Sequence, residues 1–110
     1  MPKTEGIIVY KIERDGCLNG FYTTSDNGKS HRLYNEIARK KDDSDTKSIE
    51  GEYVCSWINI NNEVKIGTLT IIKGSTCYEL TWHVDGADRY TGTGYITGEQ
   101  QLTVSYRSVD

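Results

Sequence analysis

Cys77-Tyr78-Glu79-Leu80-Thr81-Trp82-His83-Val84-Asp85-Gly86-Ala87-Asp88-Arg89-Tyr90-Thr91-Gly92-Thr93-Gly94 is the stretch that decides the fold. Tyr78, Leu80, Trp82 and Val84 point one way, and Cys77, Glu79, Thr81 and His83 the other. That period-two pattern, apolar on one side and polar on the other, belongs to a strand with one buried face. Asp85-Gly86 then marks a tight reversal, because glycine takes a positive φ without steric cost. Beyond it a second strand begins, in which Gly92 and Gly94 share a face with Tyr90 and Ile96 and leave room for bulky rings on neighbouring strands.

The same grammar recurs along the chain. Turn signals stand at Arg14-Asp15-Gly16, Ser25-Asp26-Asn27-Gly28, Asp42-Asp43-Ser44-Asp45, Asn59 to Asn62, Lys73-Gly74-Ser75 and Thr97-Gly98-Glu99. They predict strands at 6–13, 18–25, 30–40, 50–58, 64–73, 77–85, 88–97 and 100–107. Leu18, Gly20 and Tyr22 share a face, as do Tyr53, Cys55 and Trp57, then Leu69 and Ile71, then Leu102, Val104 and Tyr106. Residues 31–41 admit a helix or a strand, and the strand, with Leu33, Asn35 and Ile37 on one face, is the preferred reading. The fold expected for 1–110 is a single all-β domain, an eight-stranded antiparallel up-and-down meander closed into a barrel. Its strands at about 6–40 and 50–107 are joined by a polar loop, 41–49, and a β-sandwich is the alternative.

Two stretches suggest an internal repeat: Gly6-Ile7-Ile8-Val9-Tyr10-Lys11 with Cys17 to Tyr22, and Gly67-Thr68-Leu69-Thr70-Ile71-Ile72 with Cys77 to Trp82. The series Gly51 to Trp57, Gly67 to Ile71, Tyr78 to Trp82, Tyr90 to Gly94 and Leu102 to Tyr106 resembles a group of uncharacterised, mostly bacterial β-barrel proteins. So does the stretch from Ile8 to Tyr22, which in that group follows the first series and here precedes it, implying a circular permutation or a piece of a tandem array. The architecture is also similar to calycins, the avidin-like and lipocalin-like barrels. No Gly-x-Trp lipocalin signature stands near the first strand, and the resemblance implies shape without a transferable activity.

Composition narrows the function classes. The net charge is −3 and the sequence pI about 5.4. The one basic cluster, Arg39-Lys40-Lys41, is followed by Asp42, Asp43 and Asp45, so no basic face for nucleic acid is expected. No signal peptide or apolar span is visible, which points to a cytoplasmic protein away from membranes. Cys17, Cys55 and Cys77 match no zinc spacing; three reduced thiols, or one disulfide with one free thiol, are the readings left open. No cofactor or metal is expected.

Catalytic sets are hard to assemble. Cys77 and His83 share a face but stand ~20 Å apart along one strand. His31 follows a turn and is expected to be exposed. Glu79, Asp85, Asp88 and Glu99 read as surface charge. Gly92 to Gly98 lacks the helix a phosphate loop requires. No catalytic residue is assigned, and the expectation is a protein that is not an enzyme.

The aromatics remain. Tyr22, Tyr53, Trp57, Trp82 and Tyr106 are assigned inward as the ligand-binding residues of an open barrel end, suited to a short peptide or a small apolar or sugar-like molecule. A cavity above roughly 300 Å³ walled by Trp57 and Trp82 decides for that function. A solid interior decides for the alternative, a protein-interaction, inhibitor or structural module, oligomeric through an outer face rich in threonine.

Overall fold

Every second residue is turned inward, and eight strands follow from that alternation. The computed structural model describes residues 4–26, 29–42, 48–59 and 62–109. The strands are β1 (Thr4–Ile12), β2 (Leu18–Asp26), β3 (Lys29–Lys40), β4 (Gly51–Ile58), β5 (Val64–Lys73), β6 (Tyr78–Val84), β7 (Ala87–Gly98) and β8 (Gln101–Ser108). Each pairs antiparallel with the next, and β8 returns to β1, closing the barrel in meander order. The sandwich and the helix at 31–41 are both set aside. No helix long and apolar enough to cross a membrane occurs among the described residues.

Turn chemistry sets the strand ends. Asp85 and Gly86 both take positive φ, 53° and 82°, the geometry of a two-residue type I′ hairpin. The last reversal falls on Glu99-Gln100, with Gln100 at φ 60°, so β7 runs on through Gly98 where a break was expected. Asn27-Gly28, residues 43–47 of the polar loop, Ile60-Asn61 and the side chain of His31 lie outside the described residues.

The core fills one half of the barrel. Tyr10, Leu18, Ala38, Tyr53, Cys55, Leu69, Ile71, Leu80, Leu102 and Val104 are all but inaccessible. Each fully buried aliphatic among them contributes about 1.5–3 kcal/mol. Large rings fit because glycines stand opposite them. A Cβ on Gly20 would lie 2.6 Å from the Tyr10 ring, and one on Gly92 would lie 2.9 Å from Val104 and 3.2 Å from Trp82.

Three irregularities in the ladder shape one end of the barrel, the third being the register shift of β6–β7 between Trp82 and His83. Near the β2–β3 turn Asp26 pairs with Lys29 and Ser25 with Ser30, but further on Thr23 pairs with Leu33 and Tyr22 with Tyr34. Between Ser25↔Ser30 and Thr23↔Leu33, β3 supplies positions 31 and 32 against the single Thr24 of β2, which is a bulge. The second irregularity is the joint between β3 and β4. It runs only from Glu36↔Trp57 to Lys40↔Tyr53, so the start of β3 has no β4 partner among the described residues.

Candidate functional site

The bulge determines which face of β3 enters the barrel. Directly opposed residues share a face, so an unbroken ladder from the Asn27-Gly28 turn would set Leu33 opposite Tyr22 and send Leu33, Asn35 and Ile37 inward, the expected apolar face. The extra residue shifts the register by one and turns the strand over. Tyr34, Glu36 and Ala38 go in, while Leu33, at 63% exposure, Asn35 and Ile37 go out. The apolar assignment for β3 is therefore corrected, and a carboxylate enters the core.

Glu36 is 4% exposed. Tyr10, from β1, donates its hydroxyl proton to Oε2 at 2.5 Å, and Trp82, from β6, donates Nε1–H to the same oxygen at 3.2 Å. Burial pushes the carboxyl up to about 7, while the two hydrogen bonds pull the other way. A carboxylate offers about four lone-pair sites. Oε1 accepts no hydrogen bond from any described residue.

Above Glu36 lies a cavity of about 200 Å³. Its walls are Ile8, Tyr22, Trp57, Trp82, Tyr90 and Tyr106, with Thr4, Thr24 and Asn59 towards the rim. Tyr106 is the hub of the rings. It meets Tyr22 edge-on at 6.4 Å, Tyr90 edge-on at 6.1 Å and Trp82 tilted at 6.1 Å. Its hydroxyl donates to the Thr23 carbonyl at 2.9 Å. Tyr22 stacks on Tyr34 at 5.4 Å and donates to the Ile58 carbonyl at 3.0 Å, bridging the gap that β3 leaves beside β4. These bonds fix the rings, and burial raises the hydroxyls of Tyr22, Tyr90 and Tyr106 above their ordinary range, Tyr106 to about 12.

Of the residues assigned to a ligand site from the sequence, Tyr22, Trp57, Trp82 and Tyr106 line this one cavity. Tyr53 does not. It is 1% exposed near the opposite end of the barrel, donates to the Ile49 carbonyl at 2.7 Å and lies under the Lys40 ammonium at 5.9 Å. Tyr53 and Trp57 share a face of β4 but stand four residues apart, ~13 Å along the strand, so one mouth cannot hold both. The cavity is also smaller than the roughly 300 Å³ expected of a ligand pocket and has room for a molecule of about one ring. Sequence reasoning missed Thr4, Ile8, Thr24, Glu36, Asn59 and Tyr90 of the lining, of which Glu36 and Tyr90 bear most on its chemistry.

The other candidates stay apart. His83 faces outward and meets Asp88 at 3.0 Å, with both side chains exposed. The three cysteines are free thiols, Cys55 buried and pushed up to about 12 by burial. Among the described residues no group of three His, Cys, Asp or Glu could hold a metal ion. Compared with protein-family models, curated proteins and solved structures, the chain matches none of them.

Proposed function

We propose that the protein is a non-catalytic β-barrel that binds a small molecule at its aromatic-lined end. One observation carries this reading: Tyr22, Trp57, Trp82, Tyr90 and Tyr106 converge on a single cavity with a polar floor. Concave, ring-lined sites with few polar groups are the usual form of small-molecule pockets. A calycin-like use of the barrel interior agrees with this by analogy of shape alone. The volume limits the ligand to one ring or a short chain, since a dry cavity of about 150 Å³ takes benzene.

Both tryptophans of the chain line the cavity, so their emission reports occupancy directly. One-ring compounds are titrated into the protein and into Thr24→Leu, which narrows the rim. The expected result is a saturable change in emission with a raised Tm, weakened in the variant. If no compound acts in the millimolar range, the reading is abandoned.

A second reading has its own support. Half of the interior is solid, and Phe21, Leu33, Ile37, Val64 and Ile66 stand exposed on the outer face of β2 to β5. The outer face of β5 to β7 carries the cross-strand row Thr70, Thr81 and Thr91. A filled barrel that associates through such faces, with itself or another protein, predicts sedimentation above the monomer mass, reversed by Phe21→Ser.

A further inference from the structure

We propose that the ligand of this cavity is a small organic cation, an amine with one ring or a short alkyl body, held by Oε1 of Glu36 and enclosed by the aromatic rings. This assignment rests on the reading of the cavity as a ligand site and adds the charge of its occupant.

Glu36 lines the cavity while almost wholly buried, and both of its hydrogen bonds from described residues fall on one oxygen. The second oxygen has no donor among the described residues, and the side chain it belongs to lines the cavity. Buried charge is costly unless paired, and Tyr10 and Trp82 stabilise the ion only in part. An ammonium brings several N–H donors and the opposite charge to the atom that lacks both.

The walls select in the same direction. No lysine, arginine or histidine is among the described lining residues. Ring faces carry the negative end of the aromatic quadrupole, and Trp57, Trp82, Tyr22 and Tyr106 bound the space beside Glu36. An anion would meet a carboxylate and four electron-rich rings. A neutral sugar-like molecule could donate to Oε1 but would leave the charge uncompensated.

Glu36 is also the one described group of the cavity that titrates near neutrality. Facing it are Tyr10 from β1, Tyr22 from β2, Cys55 from β4, Tyr90 from β7 and Tyr106 from β8, and burial raises every one of them. From β6 comes Trp82, which does not titrate. Cation binding therefore strengthens as pH rises, by up to about tenfold per pH unit below the Glu36 midpoint, and levels off above it.

Matched probes separate charge from shape: benzylamine against benzyl alcohol, and cyclohexylamine against cyclohexanol, each at pH 8 and pH 5.5 with tryptophan emission as readout. The amines are expected to bind at least about tenfold tighter than the alcohols at pH 8, and to lose that advantage at pH 5.5. Glu36→Gln, whose amide oxygen still accepts from Tyr10 and Trp82, is expected to bind amine and alcohol alike at both pH values. Alcohols binding as tightly as amines at pH 8 would overturn the cation assignment and leave the pocket standing. Absence of binding by all four probes overturns both. Should Glu36→Gln fail to fold, the two-pH comparison on the unaltered chain decides alone.

Discussion

At the scale of one residue, Glu36 trades stability for a charge inside the barrel. Its carboxyl moves from 4.5 to about 7 on folding. A raised acid favours the protonated folded form, so the contribution is complete below pH 4.5 and is lost as pH rises through 7. Each pH unit between those two midpoints corresponds to about 1.4 kcal/mol, so the loss is on the order of 3 kcal/mol. Unfolding free energies from urea titrations are expected to fall between pH 5 and pH 8 by an amount of that order. Glu36→Gln has no such proton to lose and should stand above the parent chain at pH 8. Identical pH dependence in the two would show that Glu36 is ionised at no cost. The Tyr10 hydroxyl is the main restraint on this cost: it donates the shorter of the two bonds, and its own proton is held firmly by burial beside the carboxylate.

At the scale of the element, the β2–β3 bulge places that carboxyl. A one-residue deletion inside a strand ordinarily turns over every later side chain. Here, deleting Arg32 removes the extra residue and leaves Tyr22↔Tyr34 and Gly20↔Glu36 as they are. Trp82 emission, coupled to Glu36 through Nε1–H, is expected to titrate near pH 7 in the deletion variant as in the parent. A folded variant without that titration would show that the register is set further along the strand. The same bulge marks where the sequence stopped being readable. Eight strands could be read because Asp85-Gly86 and its counterparts bound short alternating runs. The inward face of β3 could not, because the bulge sits in a polar run, Ser30-His31-Arg32, without the glycine that often flags one. Glu36 therefore drew no notice, since it falls on the face opposite Leu33, Asn35 and Ile37. Tyr53 was misplaced for a different reason: alternation gives the face of a residue, and its height along the barrel axis comes only from its distance to the turns.

At the scale of the whole molecule, a closed sheet has no edge, so its least stable joint governs how it opens. The seam between β1 and β8 joins the most distant parts of the chain, yet it is paired from Glu5↔Arg107 through Lys11↔Gln101. Among the described residues, the joint between β3 and β4 is the shortest in the ring. In hydrogen exchange, amides bonded across β3–β4 are expected to lose protection before those of the seam. The reverse order would place the weak point at the ring closure. The gap this joint leaves beside the start of β3 lies at the end where the cavity opens, with the Tyr22 hydroxyl on the Ile58 carbonyl as a latch across it. On the proposed reading of the cavity, ligand traffic and amide exchange at this joint share a rate-limiting event. A guest of the proposed kind would then depart on the clock of local breathing, and loosening the latch would speed its release while the solid half of the barrel stays closed.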